Sequence, residues 1–188
     1  MTPALKRMTA DEFLEWSLTQ EERYELIDGR PVLMAGATQS HDRIVVNLIL
    51  AMGPRLRGGR CRTSTADIAA RMTGGNVRRP DVTIDCGRFE GRSTESSEPT
   101  VFFEVLSPST RGVDLIRKSH EYRLLPSVRH AVFIEPDRVF VQLWTRDAQG
   151  GWGEPDEFEA LTDAVPLPAV GVELPVGEIY DELFAAGS

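Results

Sequence analysis

The sequence predicts an α/β fold in which a mixed central β-sheet is flanked by α-helices. Three observations point there. Residues 79–84 and 101–106 carry the two-residue period of strands: Val82 and Ile84 alternate with Asp81 and Thr83, and Val101, Phe103 and Val105 share one face opposite Phe102, Glu104 and Leu106. Residues 113–125 then switch to the helical period, with Leu115, Lys118, Tyr122 and Leu125 on one side. Around this stretch, helix-like and strand-like segments succeed one another along the chain.

Taken in order, Thr9 is expected to cap a short helix, with Glu12 completing a capping box and Phe13, Leu14 and Trp16 on the apolar side. RYELIDGRPVLMAG reads as a hairpin turning at Asp28-Gly29, in which Glu25 points with Arg23 and Ile27. Ser40 is the expected N-cap of a helix over residues 41–56, where His41, Ile44, Val45, Leu48 and Met52 share a face. Gly58-Gly59 ends it. Strands are expected over 66–72 and 79–84, joined by Thr73-Gly74-Gly75-Asn76, and the polar stretch 87–99 reads as an exposed loop. After Ser107-Pro108-Ser109-Thr110, a turn, comes the helix over 113–125, with a weaker second stripe of Val113, Ile116 and Leu124. HAVFIEPD and RVFVQLWTRD read as consecutive strands, Ala148-Gln149-Gly150-Gly151 as another hairpin turn, and LPAVGVELP as the approach to a last helix over 176–184.

Composition narrows the function classes. With 188 residues, 41% of them hydrophobic, the chain suits one domain with a substantial core. It carries neither an apolar run of membrane-spanning length nor a signal-peptide pattern, so a cytoplasmic location is expected. Cys61 and Cys86 lack CxxC spacing, which argues against zinc and leaves them as reduced, small core-compatible residues. The net charge of -8 argues against tight non-specific binding to nucleic acid, though not against a local basic groove or an enzyme that carries its counterions as metal. Arg55, Arg57, Arg60 and Arg62 read first as a solvated face and second as a phosphate-steering patch.

The chemistry concentrates between Arg78 and Tyr122. Glu104 is flanked on its own strand face by Phe102 and Leu106, and an ionised carboxylate removed from water needs a cation. Lys118 sits within an apolar stripe, where it either meets that carboxylate or snorkels to the surface. Asp81 follows Pro80 at the start of its strand, and His41 opens the core-facing stripe of its helix. Each has a bland reading: Asp81 as a strand-start residue, His41 as a hydrogen-bonded helix end, Glu25 as a surface partner of Arg23 or Arg43.

The order PD, then a glutamate on the next strand, then a nearby lysine resembles the PD-(D/E)XK nuclease superfamily. YELIDG, the helix opening at His41, RRPDVTI, FFEVLSPSTRGVDLIRKSHEY and HAVFIEPD together resemble the bacterial Uma-two family of restriction endonucleases, over residues 8–184. The pattern EVLSPST followed by Asp114, Lys118 and Tyr122 carries most of that likeness. One departure matters: the superfamily's lysine stands two residues after the glutamate, and that position is Leu106. The resemblance implies that Lys118 supplies the amine from the following helix. Glu135, where the family more often has aspartate, is a lesser departure.

The resemblance implies a restriction-endonuclease-like core and metal-dependent phosphodiester hydrolysis, with DNA as the substrate. Asp81 and Glu104 would be ligands of Mg²⁺ or Mn²⁺, ions that favour hard oxygen donors, with the Val105 backbone carbonyl as another. Lys118 would orient the attacking water or steady developing charge. Glu25 is the next candidate, as an outer ligand or a base acting through water; His41 would be accessory, as would Tyr122 and Asp114. A homodimer fits cleavage of two strands. Two alternatives stay open: a non-catalytic binding or scaffold protein that keeps the fold, and a hydrolase of another phosphoester.

Overall fold

The computed structural model describes residues 7–107 and 113–184, without the side chains of 113 and 114. In chain order the first half holds α1 (Ala10–Ser17), β1 (Tyr24–Ile27), β2 (Arg30–Leu33), α2 (Gln39–Leu56), β3 (Arg62–Thr65), β4 (Ala70–Arg71), β5 (Val77–Arg78) and β6 (Val82–Asp85). The second half holds β7 (Pro99–Val105), α3 (Val113–Leu124), β8 (His130–Ile134), β9 (Val141–Thr145), β10 (Asp156–Phe158), β11 (Ala164–Leu167), β12 (Val172–Pro175) and α4 (Val176–Ile179).

Six strands form the central sheet in the order β10-β9-β8-β7-β6-β3. Only β7 and β8 run parallel among its pairs, and α3 is the crossover that a parallel pair requires. Every residue of β7 and β8 is buried, as expected of strands covered on both faces. On one face Val101, Phe103 and Val105 pack with Ile44, Leu48 and Met52 of α2 and with Leu174 and Ile179. On the other, Phe102, Leu106 and Phe133 pack with Tyr122, Leu125 and Val128. Burying a side chain of this size is worth about 1.5–3 kcal/mol, so these two layers hold the helices in place more than helical propensity does.

A second, four-stranded antiparallel sheet has the order β2-β1-β5-β4. It packs under α1, whose Phe13 and Leu14 meet Leu26 and Val77. The expected capping box is present: Thr9 Oγ1 accepts from Glu12 N–H at 3.2 Å, and the Glu12 carboxylate accepts from Thr9 N–H at 2.8 Å. The β1–β2 turn falls at Asp28 and Gly29, with φ of 50° and 75°, the left-handed pair that a two-residue hairpin needs. A side chain at Gly29 would also collide with Arg7.

Several expectations are corrected. The N-cap of α2 is Thr38, whose Oγ1 accepts from His41 N–H at 3.2 Å; Ser40 lies within the helix. β3 is a strand that the sequence does not announce, and of residues 66–72 only Ala70–Arg71 is strand. The Thr73–Asn76 turn joins β4 to β5, and the strand expected over 79–84 begins only at Val82, in the other sheet. The segment LPAVGVELP contributes to an antiparallel β11–β12 pair with a 3-10 turn between them, and the last helix stops at Ile179. Cys61 and Cys86, expected as separate reduced residues, are joined in a disulfide. The reason is register: Arg62 faces Asp85 across β3 and β6, so their outward neighbours face each other too.

His130, at the start of β8, gives the fold an acid-sensitive point. It is buried; its Nε2 accepts from Ala169 N–H at 3.3 Å, so Nδ1 carries the hydrogen and donates to Thr145 Oγ1 at 3.2 Å. Burial, with the nearby Arg129 charge, pushes its pKa down from 6.5 to about 4. The unfolded chain therefore binds a proton that the folded chain refuses. The stabilisation is complete above pH 6.5 and is lost as pH falls through about 4. At 1.36 kcal/mol per pKa unit this amounts to ~3 kcal/mol. Urea unfolding of the wild type and His130→Gln at pH 7.5 and 4 should show that much extra acid loss in the wild type alone. Equal losses would remove His130 as the cause.

Candidate functional site

The link Arg79-Pro80-Asp81 carries the chain from the small sheet to the central one. Proline suits such a link, since its φ is fixed and it offers no N–H to a ladder. β6 and β7 are antiparallel, so the start of one lies beside the end of the other. Asp81 therefore meets the end of β7: its Oδ2 accepts from Val105 N–H at 2.7 Å. Its Oδ1 lies 3.1 Å from Nε2 of His41, at the first turn of α2.

Glu104 stands one residue earlier on β7, on the face covered by α3. Its oxygens are 3.1 and 3.3 Å from the Lys118 ammonium, and one of them accepts a short hydrogen bond from the Tyr122 hydroxyl. The Tyr122 ring lies against Phe102, 4.4 Å between centroids. Lys118 is not a snorkelling lysine, for only 11% of its side chain is exposed. Leu106, where the superfamily carries its lysine, is buried in the hydrophobic layer under α3. The amine reaches Glu104 from the helix instead.

Glu25 enters from β1. It pairs with neither Arg23 nor Arg43, which bind Asp67 and Glu182. Its Oε2 accepts from Arg78 Nη1 at 2.9 Å, its Oε1 from Arg79 N–H at 3.1 Å, and Lys118 Nζ is 3.5 Å away. Asp81, Glu104, Lys118, Glu25, His41, Val105 and Tyr122 are thus brought together from five parts of the chain. The expected turn falls, past Ser107, outside the described residues, as does the side chain of Asp114. Arg55, Arg57, Arg60 and Arg62 stand at or beyond the far end of α2, whose 18 residues span ~27 Å from His41's end. Arg55 is paired with Glu178 and Arg60 with Glu98, so the steering patch does not reach this site.

The electrostatics are those of crowded, buried carboxylates. Burial raises the Glu104 pKa to about 7; Lys118 works against this, Asp81 and Glu25 add to it, and the Tyr122 hydrogen bond lowers it. Burial would lower the His41 pKa, but the hydrogen bond and charge of Asp81, with Glu104, leave it above 6.5. Burial and the Glu104 charge push the Tyr122 phenol well above its ordinary value, so it stays a donor.

Arg78 and Glu121 complete the site and were missed in the sequence. Arg78, with a side chain 0% exposed, bonds Glu121 through Nε at 2.7 Å as well as Glu25. Glu121 also accepts from Asn76 at 2.7 Å and from Arg117 at 3.0 Å. Although burial raises the Glu121 pKa, Arg78 and these other donors bring it below 4.5. One signal was available: Glu121 follows Arg117 by four residues and Lys118 by three, so all three lie on neighbouring helical positions.

A mixed sheet with helices on both faces, carrying PD at the start of one strand and a glutamate at the end of the next, defines a restriction-endonuclease-like protein. The fold matches the crystal structure of "a putative nuclease" from Anabaena variabilis with a TM-score of 0.72, covering 92% of this chain and 97% of that one at 19% identity. The chain belongs to the Uma2 family, described as "Putative restriction endonuclease", which it matches over residues 10–177. It is also similar to two uncharacterized proteins of Synechocystis sp. The protein slr1290 is 28% identical over 93% of this chain and 92% of its own. The protein sll1609 is 26% identical over 69% and 76% respectively. None of the described helices is long and apolar enough to cross a membrane.

Proposed function

We propose that the protein is a metal-dependent endonuclease that hydrolyses phosphodiester bonds in DNA, in the cytoplasm, with Asp81 and Glu104 as ligands of Mg²⁺ or Mn²⁺. The observation that carries this reading is the meeting of a buried carboxylate, Glu104, with the half-buried Asp81 and one ammonium, from separate elements, with Lys118 Nζ 3.1 Å from Glu104. The donor set suits such an ion. Asp81 is near enough for its charge to help raise the Glu104 pKa, which marks a place short of positive charge. Among the described residues no group of three or more His, Cys, Asp or Glu could hold a metal. The protein's share would be two carboxylates and the Val105 carbonyl, in keeping with Mg²⁺, which relies on one or two carboxylates, substrate phosphate and water.

When bound, the ion supplies charge neutralisation on the phosphate and a water of lowered pKa. Asp81 is held in place by the Val105 N–H and His41, and Glu104 by Tyr122 and Lys118. Lys118 orients the attacking water and meets the negative charge that develops on the phosphate. A homodimer would bring two such sites to the two strands of a duplex. Supercoiled plasmid and single-stranded DNA, incubated with Mg²⁺ or Mn²⁺, should be cleaved, and EDTA should abolish cleavage. Neither cleavage nor Mn²⁺ uptake at millimolar concentration would sink the proposal and favour a non-catalytic binding protein.

A further inference from the structure

We propose that Arg78 is a positioning residue: by holding Glu25, it keeps the Lys118 ammonium on Glu104. The inference rests on the nuclease reading for its effect on rate, but its structural content stands apart from turnover.

Two buried carboxylates compete for one ammonium. Lys118 Nζ lies 3.1 and 3.3 Å from the Glu104 oxygens and 3.5 Å from Glu25 Oε1. Glu104 wins because Glu25 is already engaged by the Arg78 guanidinium at 2.9 Å and the Arg79 N–H at 3.1 Å. A fully buried guanidinium is costly unless well compensated, and Arg78 is compensated by Glu25 on one side and Glu121 on the other. Glu121 in turn binds Arg117, and Arg117 binds Asp28 in the β1–β2 turn at 2.7 Å. The ion-pair chain therefore runs from the hairpin of the small sheet, through Arg78, to the helix that carries Lys118.

Remove Arg78 and Glu25 loses its strongest partner. In a weakly screened interior the nearest cation is then drawn to it, and that cation is Lys118. The geometry asks for arginine rather than lysine, because Nε and Nη1 serve two carboxylates in fixed directions and a point charge does not. Glu25, in this arrangement, acts through Lys118.

The test compares Arg78→Met with Arg78→Met/Glu25→Gln, by metal-free crystal structures and by plasmid cleavage with Mn²⁺. In the single variant Lys118 Nζ should lie closer to Glu25 than to Glu104, and kcat should fall ~10–100-fold, the usual cost of a catalytic group displaced by about 1 Å. KM for DNA should stay within about threefold. Glutamine at 25 removes the competing charge, so the double variant should return Lys118 to Glu104 and regain at least ~10-fold in kcat; a merely structural loss would not be rescued by a second substitution. Should Arg78→Met fail to fold, Arg78→Lys takes its place in the comparison, with the same direction of Lys118 displacement expected. Lys118 remaining on Glu104 in the single variant, or a double variant no faster than the single, would overturn the proposal. A displaced Lys118 in a protein whose wild type cleaves no DNA would uphold the positioning and refute the nuclease reading.

Discussion

Lys118→Ala should slow metal-dependent plasmid cleavage by ~10²–10³-fold while leaving the protein folded. The size follows from losing both an orienting group and a positive charge where the phosphate's charge develops. Folding survives because the carboxylate left behind has another way to be neutral. Lys118 is the larger of the two influences that oppose the rise in the Glu104 pKa, the Tyr122 hydrogen bond being the other, while burial, Asp81 and Glu25 continue to raise it. Without the lysine, Glu104 takes a proton at a higher pH than the wild type's value of about 7, and a neutral acid tolerates burial. A protonated carboxyl is also a poor metal ligand, so the variant should lose more activity at pH 6 than at pH 8.5. Cleavage rates at both pH values, beside Mn²⁺ uptake at each, separate the direct loss from the indirect one. A Lys118→Ala protein that cleaves like the wild type at both would take the lysine out of the mechanism.

What could be read from the chain follows from where the physical signal is local. β7 and β8 are legible because strands covered on both faces are mostly apolar, and the stripe Leu115, Lys118, Tyr122 and Leu125 marks the buried side of α3. Glu104 and Lys118 stood out as charges in apolar company. β3 did not, since Arg62-Thr63-Ser64-Thr65 has no apolar alternation and becomes a strand by pairing with β6 at the sheet edge. The Cys61–Cys86 bond depended on that same pairing and was hidden with it. The pattern over residues 79–84 looks like one strand, yet the Arg79 guanidinium is drawn to the carbonyls of Tyr24, Ala66 and Asp67, and the chain changes sheets there. Thr38 and Ser40 are both capping residue types, and it is Thr38 whose Oγ1 accepts from His41 N–H. The Arg78 network left no periodic trace, because its partners lie 53 and 43 residues away.

Asp81→Asn separates the charge of that carboxylate from its hydrogen bonds, and two opposite outcomes are expected from one substitution. The asparagine oxygen can still accept from the Val105 N–H, which Asp81 holds at 2.7 Å, so the melting temperature should change by only a few degrees. Asp81→Ala leaves that buried N–H without its acceptor, and the cost should be larger, ~1–3 kcal/mol, read in the same melting experiment. Mn²⁺ uptake, followed by EPR, should weaken by at least ~100-fold in both variants, since one of two hard, charged ligands is gone. His41 reports independently of any metal. Burial is the largest influence on it and lowers its pKa, and what lifts the imidazole above 6.5 is chiefly the bond and charge of Asp81. With asparagine in place, His41 should therefore take its proton at a lower pH than in the wild type, visible in an NMR titration of the metal-free protein. A lowered His41 pKa with undiminished Mn²⁺ uptake would mean that the carboxylate meets the imidazole as the structure has it but that the ion sits elsewhere, and the ligand assignment would fall while the geometry stood.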